Sequence, residues 1–256
     1  MSTDQLSIDW YNKNSEDYTK HVRDPEDSIF HSLYEKPAMY SLLPDLKAKT
    51  VLSLGCGSGE DCNHIKKLGA EKILGIDISE SMIKIAKTSY PDCDFKVMDM
   101  EKLDFEDCVF DFVYSSLAIH YIVDWSRVFQ EVYRVLKPNS FFLFSCNHPV
   151  SSSMELLRDD EDLSITQLSR IKNRKKNTVE IIGNYMEKKS HTQQSLQVTT
   201  WHKSFGEIFD ELTKANFVID KLFEPLPLPK MKQISPTNYE TLQKIPAFLI
   251  LRLHKR

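Results

Sequence analysis

The run Val51-Leu52-Ser53-Leu54 stops abruptly at Gly55-Cys56-Gly57-Ser58-Gly59. Glycine is needed where the backbone takes a positive φ or must come close to something else, and this chain is sparing with it. Ordinary usage of about 7% would give a chain of this length roughly 18 glycines. It has 7, and Gly55, Gly57, Gly59, Gly69 and Gly75 lie within one short window. An apolar strand that ends in glycines and opens into a helix is the first turn of a doubly wound sheet. Ligands there bind beyond the carboxyl ends of the strands. The spacing is G-x-G-x-G rather than the G-x-G-x-x-G of dinucleotide sites, which argues against a nicotinamide dehydrogenase.

Further apolar runs follow at 72–76, 94–98, 109–114 and 141–146. Helical patterns separate several of them, at 60–68, 80–88 and 125–136, with Ser79 placed to cap the second. Near-continuous apolar strands alternating with amphipathic helices mark a parallel sheet covered on both faces. The expected class is α/β, doubly wound. Lys137-Pro138-Asn139 should stop the third helix. Ser204 and Glu207 form a capping box before an apolar face made by Phe205, Phe209, Leu212 and Ala215. Strands are then expected at 217–223 and 247–253. The proline-rich connector between these two is too short for a crossover helix, so the last strand should run antiparallel.

Two segments stand outside this alternation. Residues 1–48 read as polar helices carrying Tyr11, Tyr18 and His21. Residues 150–203 read as an insertion, with 178–186 and 195–203 expected to pair as a hairpin bearing Tyr185 and Trp201. The domain reading is therefore a helical cap at 1–48, a core at 49–149 and 204–256, and an inserted lid at 150–203.

Charge and cysteine content narrow the function classes. A net charge of −4 and a pI near 6.1 give no global attraction to nucleic acid or a membrane surface. The basic run Arg170, Lys172, Arg174, Lys175 and Lys176 is a local exception, read as a solvated face. No apolar run approaches the roughly 20 residues of a membrane span, and the first residues lack a secretory pattern, so a cytoplasmic protein is expected. The five cysteines are odd in number and contain no CxxC pair, which points away from a disulfide framework and from a metal site.

Chemistry concentrates at the strand ends. Asp77 closes the second run and follows Gly57 by the interval at which an acidic residue reaches the two hydroxyls of a ribose. Asp99 closes the third, where its carboxylate can meet an adenine amino group with Met100 against the ring.

On these motifs the chain resembles the class I S-adenosylmethionine-dependent methyltransferases. It looks most like the free-standing small-molecule enzymes of the quinone-biosynthesis type. VLSLGCGSGE, ILGIDISESMIKIAK, VMDMEKLDF, FDFVYSSLAIHYIVDW and EVYRVLKPNSFFLFSCNHP carry the resemblance, in the family's order. It implies a Rossmann-like seven-stranded sheet with an antiparallel last strand. It also implies S-adenosyl-L-methionine as cofactor, held by Gly55, Cys56, Gly57, Asp77, Ile78, Met82, Asp99, Met100 and Ser115, with Tyr18 folded over it. His120, Tyr121 and His148 are the candidate catalytic residues, His120 first as a general base if the acceptor must lose a proton. No metal is expected. The family usually has an acidic residue where this chain has Ser53, and that carboxylate helps organise the methionine end of the cofactor. A small-molecule acceptor is the first expectation. An RNA or protein acceptor is disfavoured because the loop after the fourth run reads SSLAIH and lacks an NPPY-type tetrad. A non-catalytic binding protein of the same fold is the third reading. The sequence leaves the oligomeric state open.

Overall fold

A computed structural model describes residues 3–159, 164–176, 178–187, 190–193 and 198–256. The seven core strands are β1 (Thr50–Leu54), β2 (Lys72–Asp77), β3 (Asp94–Val97), β4 (Phe110–Ser115), β5 (Leu136–Asn147), β12 (Val218–Phe223) and β13 (Phe248–Lys255). Their order in the sheet is β12-β13-β5-β4-β1-β2-β3. Only β13 runs against its neighbours, pairing antiparallel with both β5 and β12. The insertion supplies β6 (Glu155–Asp159), β7 (Ser164–Gln167), β8 (Ser169–Asn173), β9 (Thr178–Ile182), β10 (Ser190–Gln193) and β11 (Val198–Trp201).

Alternation along the strands divides the core between two faces. Leu52, Leu54, Val113, Phe142 and Phe144 face α6 (Trp125–Val135) and α8 (Phe205–Lys214). Val51, Phe112, Tyr114 and Leu143 face α3 (Lys36–Ser41), α4 (Glu60–Lys67) and α5 (Glu80–Ser89). On α6, Trp125, Val128, Phe129, Val132 and Val135 are buried together, each contributing about 1.5–3 kcal/mol of apolar burial. Ser79 caps α5 through Met82 N–H, and the capping box of α8 forms as its spacing requires.

The N-terminal segment is a series of short helices rather than one cap helix. It comprises α1 (Gln5–Lys13), α2 (Ser15–Arg23), a π turn over His31–Glu35, and α3. Pro37 explains the π turn. It has no N–H to give to the Leu33 carbonyl, and its ring crowds that oxygen. The ladder widens, Lys36 N–H bonds to the His31 carbonyl, and the Leu33 carbonyl accepts from Leu228 N–H at 2.8 Å instead. Both early helices are fastened over the carboxyl edge of the sheet. Asn12 Oδ1 on α1 accepts from Ser79 Oγ (2.7 Å) and Ser81 N–H (3.2 Å) at the start of α5. Arg23 on α2 bonds Glu60 (2.7 Å) and Ser89 (2.8 Å).

Two expectations need correction. Residues 195–197 lie outside the described residues; among those described, 178–186 and 198–203 do not pair with each other, since β9 pairs with β8 and β11 with β10. Asn173 decides this, because its Oδ1 accepts from Lys175 and Lys176 N–H and closes the β8–β9 turn inside the basic run. Lys137-Pro138-Asn139 does stop the helix, since α6 ends at Val135, and the tripeptide lies at the start of β5 with Asn139 at φ 60°. The connector before β13 contains α9 (Met231–Ile234) and α10 (Pro236–Leu242), with Pro236 at the helix start where its missing N–H costs nothing. The remaining helix is α7 (Pro149–Ser153), and no helix among the described residues is long and apolar enough to cross a membrane.

One close approach ties two loops together. Gly55 has φ +61°, and a Cβ built there would sit 2.3 Å from Ala118 Cβ in the loop after β4. Gly55→Ala should therefore destabilise the protein by about 1–3 kcal/mol through overpacking. Ala118→Gly in the same chain should recover a substantial part of that loss, as read by thermal melts of the two single variants and the double. No recovery would mean that backbone strain at residue 55, not the loop contact, sets the cost.

Candidate active site

The carboxyl ends of β1, β2, β3 and β4 open into a cavity of about 800 Å³, including its mouth. Each strand end contributes in turn. β1 brings Gly55 and Gly57; β2 brings Asp77 and Ile78; Met98, Asp99 and Met100 follow β3; Ser116, Leu117 and Ala118 follow β4. A Cβ at Gly57 would meet nothing within 4 Å, so the backbone there borders open space.

Asp77 is held by the backbone. Its Oδ2 accepts from Gly57 N–H and its Oδ1 from Ser79 N–H, both at 2.9 Å. Burial pushes this carboxyl above its usual value, and the N–H groups of Ser79, Gly57 and Ile78 pull it back. Each carboxylate oxygen has two acceptor sites, so these N–H groups leave acceptor capacity on the side chain, which lines the cavity. Asp99 Oδ1 accepts from Glu101 N–H at 2.9 Å, which turns the chain between two methionines, Met98 and Met100.

The roof is aromatic. Tyr11 stands edge-to-face with Tyr18 (centroids 5.2 Å, 88°) and with Tyr121 (5.8 Å, 89°). The Tyr11 and Tyr121 hydroxyls are 2.7 Å apart. Burial pushes all three phenols above their usual range, so none is a phenolate at neutral pH. Ser7, Ile8, Ile122 and His31 complete the wall. Burial lowers His31 to about 4, with Lys36 acting in the same direction, so its ring is neutral.

Behind the β4 loop lies a carboxyl group that the sequence reading did not single out. Glu35 is fully buried. Its Oε1 accepts from Ser116 Oγ (2.9 Å) and Ser145 Oγ (2.5 Å), and Leu117 N–H donates to the same Ser145 hydroxyl (2.9 Å). Leu117 is thereby held at φ 47°. Burial pushes Glu35 up to about 7, against the pull of Lys36 and the two serines. Beside it, Lys36 Nζ meets Asp61 Oδ1 at 2.5 Å, and Tyr40 donates to the same oxygen at 2.6 Å. Burial alone would raise Asp61, but these two partners hold it low.

Of the residues expected to hold cofactor, Gly55, Gly57, Asp77, Ile78, Met82, Asp99, Met100 and Tyr18 line the cavity. Cys56 and Ser115 are not among the lining residues. Cys56 Sγ packs where a Gly75 Cβ would be, and Ser115 Oγ donates to the Leu54 carbonyl at 3.2 Å. Tyr121 lines the cavity; His120 and His148 do not. His120 is buried, its Nδ1 accepts from Asn147 N–H at 3.3 Å, and its ring packs on Tyr121. Burial lowers it to about 3. His148 caps α7 through Nδ1 and meets Glu224 through Nε2 at 2.9 Å, so both ring nitrogens are engaged. His21 bonds Asp27 at the surface, and Tyr185 accepts from Phe205 N–H.

Known proteins agree with this geometry. Residues 52–144 match the family described as "Methyltransferase domain". An uncharacterised protein of Haemophilus influenzae is 30% identical over 207 residues, covering 77% of this chain and 78% of that one. Phthiotriol/phenolphthiotriol dimycocerosates methyltransferase 1 of Mycobacterium ulcerans is 31% identical over 183 residues, 70% of this chain and 65% of the relative. The crystal structure of an S-adenosylmethionine-dependent methyltransferase from Mesorhizobium loti matches with a TM-score of 0.72 and 26% identity, covering 90% of this chain and 100% of that one. The glycine turn bordering open space, the doubly anchored Asp77 and the methionine-flanked Asp99 suit the cofactor these enzymes share. The chain carries a methyltransferase domain on the fold of the class I S-adenosylmethionine-dependent methyltransferases.

Proposed function

We propose that the methyl acceptor is an uncharged small molecule with an apolar body. One observation carries this reading. Among the described lining residues the only carboxylates are Asp77 and Asp99, both at the nucleoside end, and there is no lysine or arginine. The remaining wall under α1 combines Ile8, Leu117, Ile122, Tyr11 and Tyr121 with the uncharged polar residues Thr3, Ser7 and Ser116 and the neutral His31. An ionised acceptor would be left there without a counter-charge, which is costly in a buried site. None of Arg170, Lys172, Arg174, Lys175 and Lys176 lines the cavity, so nothing in the basic run favours RNA at the reacting centre. A quinol-like or lipid acceptor fits the same chemistry.

In this reading Asp77 receives the ribose hydroxyls, and Asp99 with Met98 and Met100 brackets the adenine. Gly55, Gly57 and Ile78 give backbone contact, and Met82 and Tyr18 close over the nucleoside. Cys56 and Ser115 support the turns from behind. The bound cofactor supplies an activated methyl group on a cationic sulfur. The chain's task is then alignment, and positioning of this kind is worth roughly 7–11 kcal/mol. Aromatic faces attract a nearby cation, and the Tyr11–Tyr18–Tyr121 cluster is placed to do so. With its phenol protonated, Tyr121 can hold an acceptor oxygen by hydrogen bonding but does not act as a base. His120 keeps Tyr121 in place by packing, and His148 holds α7. Residues 150–203 act as the acceptor-side lid, joined to α1 where Ser7 Oγ accepts from Thr199 N–H at 3.0 Å.

Incubating the protein with methyl-labelled cofactor and a cell extract should put label in the metabolite fraction. Label in RNA or protein would overturn the proposed acceptor class. Asp77→Ala should weaken S-adenosylhomocysteine binding tenfold or more by calorimetry, because hydrogen bonds to a charged group are worth about 1.5–3 kcal/mol each. The His120 ring remains neutral above a pH of about 3. His120→Gln should therefore leave the shape of the kcat/KM–pH profile between pH 5.5 and 8 unchanged, whereas loss of a limb near neutrality would make His120 the base after all.

A further inference from the structure

In the cofactor placement proposed above, the amino-acid end falls towards Ser116, Leu117, Gly55 and His31, which line the cavity beside the β4 loop. That end carries both an ammonium and a carboxylate group, with a cationic sulfur beside them in S-adenosylmethionine, yet no ionised side chain lines this part of the wall. The usual carboxylate is missing too. Ser53 occupies its place, buried and in register with Tyr114 on the next strand. A buried carboxyl group lies one layer back, behind Ser116. Glu35 takes the Ser116 and Ser145 hydroxyls on one oxygen, and its other oxygen has no hydrogen-bond partner among the described residues. Lys36 does not neutralise it by contact, because Lys36 is committed to Asp61 at 2.5 Å.

We propose that Glu35 is the positioning carboxylate for the amino-acid end of the cofactor, acting through Ser116 and the turn at Leu117. This rests on the cofactor placement proposed above. The chain has moved the charge from the strand position held by Ser53 to the π turn of the N-terminal segment. A third acidic residue at position 53 would crowd a layer in which burial, then Asp61 and Glu35, already raise the Tyr114 phenol. The π turn serves the same end, since it sets His31 in the cavity wall and Glu35 behind it within five residues.

The groups facing Glu35 make its ionisation separable. Lys36 is raised and Asp61 lowered by their mutual contact, Tyr40 and Tyr114 are raised by burial, and His31 titrates near 4. Between pH 6 and 8 the group that changes charge in this layer is Glu35, which titrates at about 7. Its ionised form is the one that attracts a cation, so binding of the amino-acid end should strengthen as pH rises through this range.

The test compares S-adenosylhomocysteine with 5′-methylthioadenosine, which has the nucleoside but no amino-acid end. Calorimetry would be run on the wild type, Glu35→Gln and Asp77→Ala. Glutamine can still accept from both serines, and thermal melting reports whether the variant is folded. Glu35→Gln should bind S-adenosylhomocysteine about tenfold more weakly and lose its pH dependence between pH 6 and 8, while binding 5′-methylthioadenosine within twofold of wild type. Wild-type affinity for both ligands, or an equal loss for both, would overturn the proposal. The underlying cofactor placement fails separately, if folded Asp77→Ala binds 5′-methylthioadenosine as the wild type does.

Discussion

The close contact of Gly55 with Ala118 sets how near the first and fourth strand ends can come. Everything at the site depends on that approach. β1 and β4 are hydrogen-bonded neighbours at the centre of the sheet. The loops leaving them therefore start side by side, and a side chain on residue 55 would force them apart. Because they meet, the cavity has a continuous floor from Ala118 through Gly55 to Asp77 and Asp99. Glu35 then fixes the β4 loop from behind through Ser116 and Ser145, and Asn12 fixes α1 from above through Ser79 and Ser81. A rigid floor and a fastened roof are what an alignment enzyme needs.

Much of this was legible in the sequence because it is written locally. A strand followed by a turn puts its end at the sheet edge whatever the rest of the chain does, so the places of Asp77 and Asp99 in the cavity wall were readable from position alone. The antiparallel β13 followed from connector length and proline content, although that connector also had room for two short helices. The capping residues Ser79 and Ser204 were readable for the same local reason.

What could not be read is what depends on partners distant in the chain. Glu35 sits among polar residues in a segment whose pattern suggests a surface helix, yet it is buried against Ser116 and Ser145. Pro37 was the available signal, since a proline inside a helical run disturbs the ladder before it. His120 looked catalytic because it follows β4, but one turn of 3₁₀ helix over Ile119–Tyr121 puts its ring in the core and Tyr121 in the cavity. In the insertion, alternation allowed β9 to pair with either neighbour, and Asn173 chose the nearer one.

The central claim is that one ligand lies across the ends of β4, β1, β2 and β3 beneath α1 and α2. Amide hydrogen exchange with and without S-adenosylhomocysteine tests it directly. The account predicts slowed exchange at 55–59, 77–82, 98–101 and 116–121 and along 7–18, with β12 and β13 unchanged. Protection confined to other segments, or absent from 77–82 and 98–101 at saturating ligand, would contradict it.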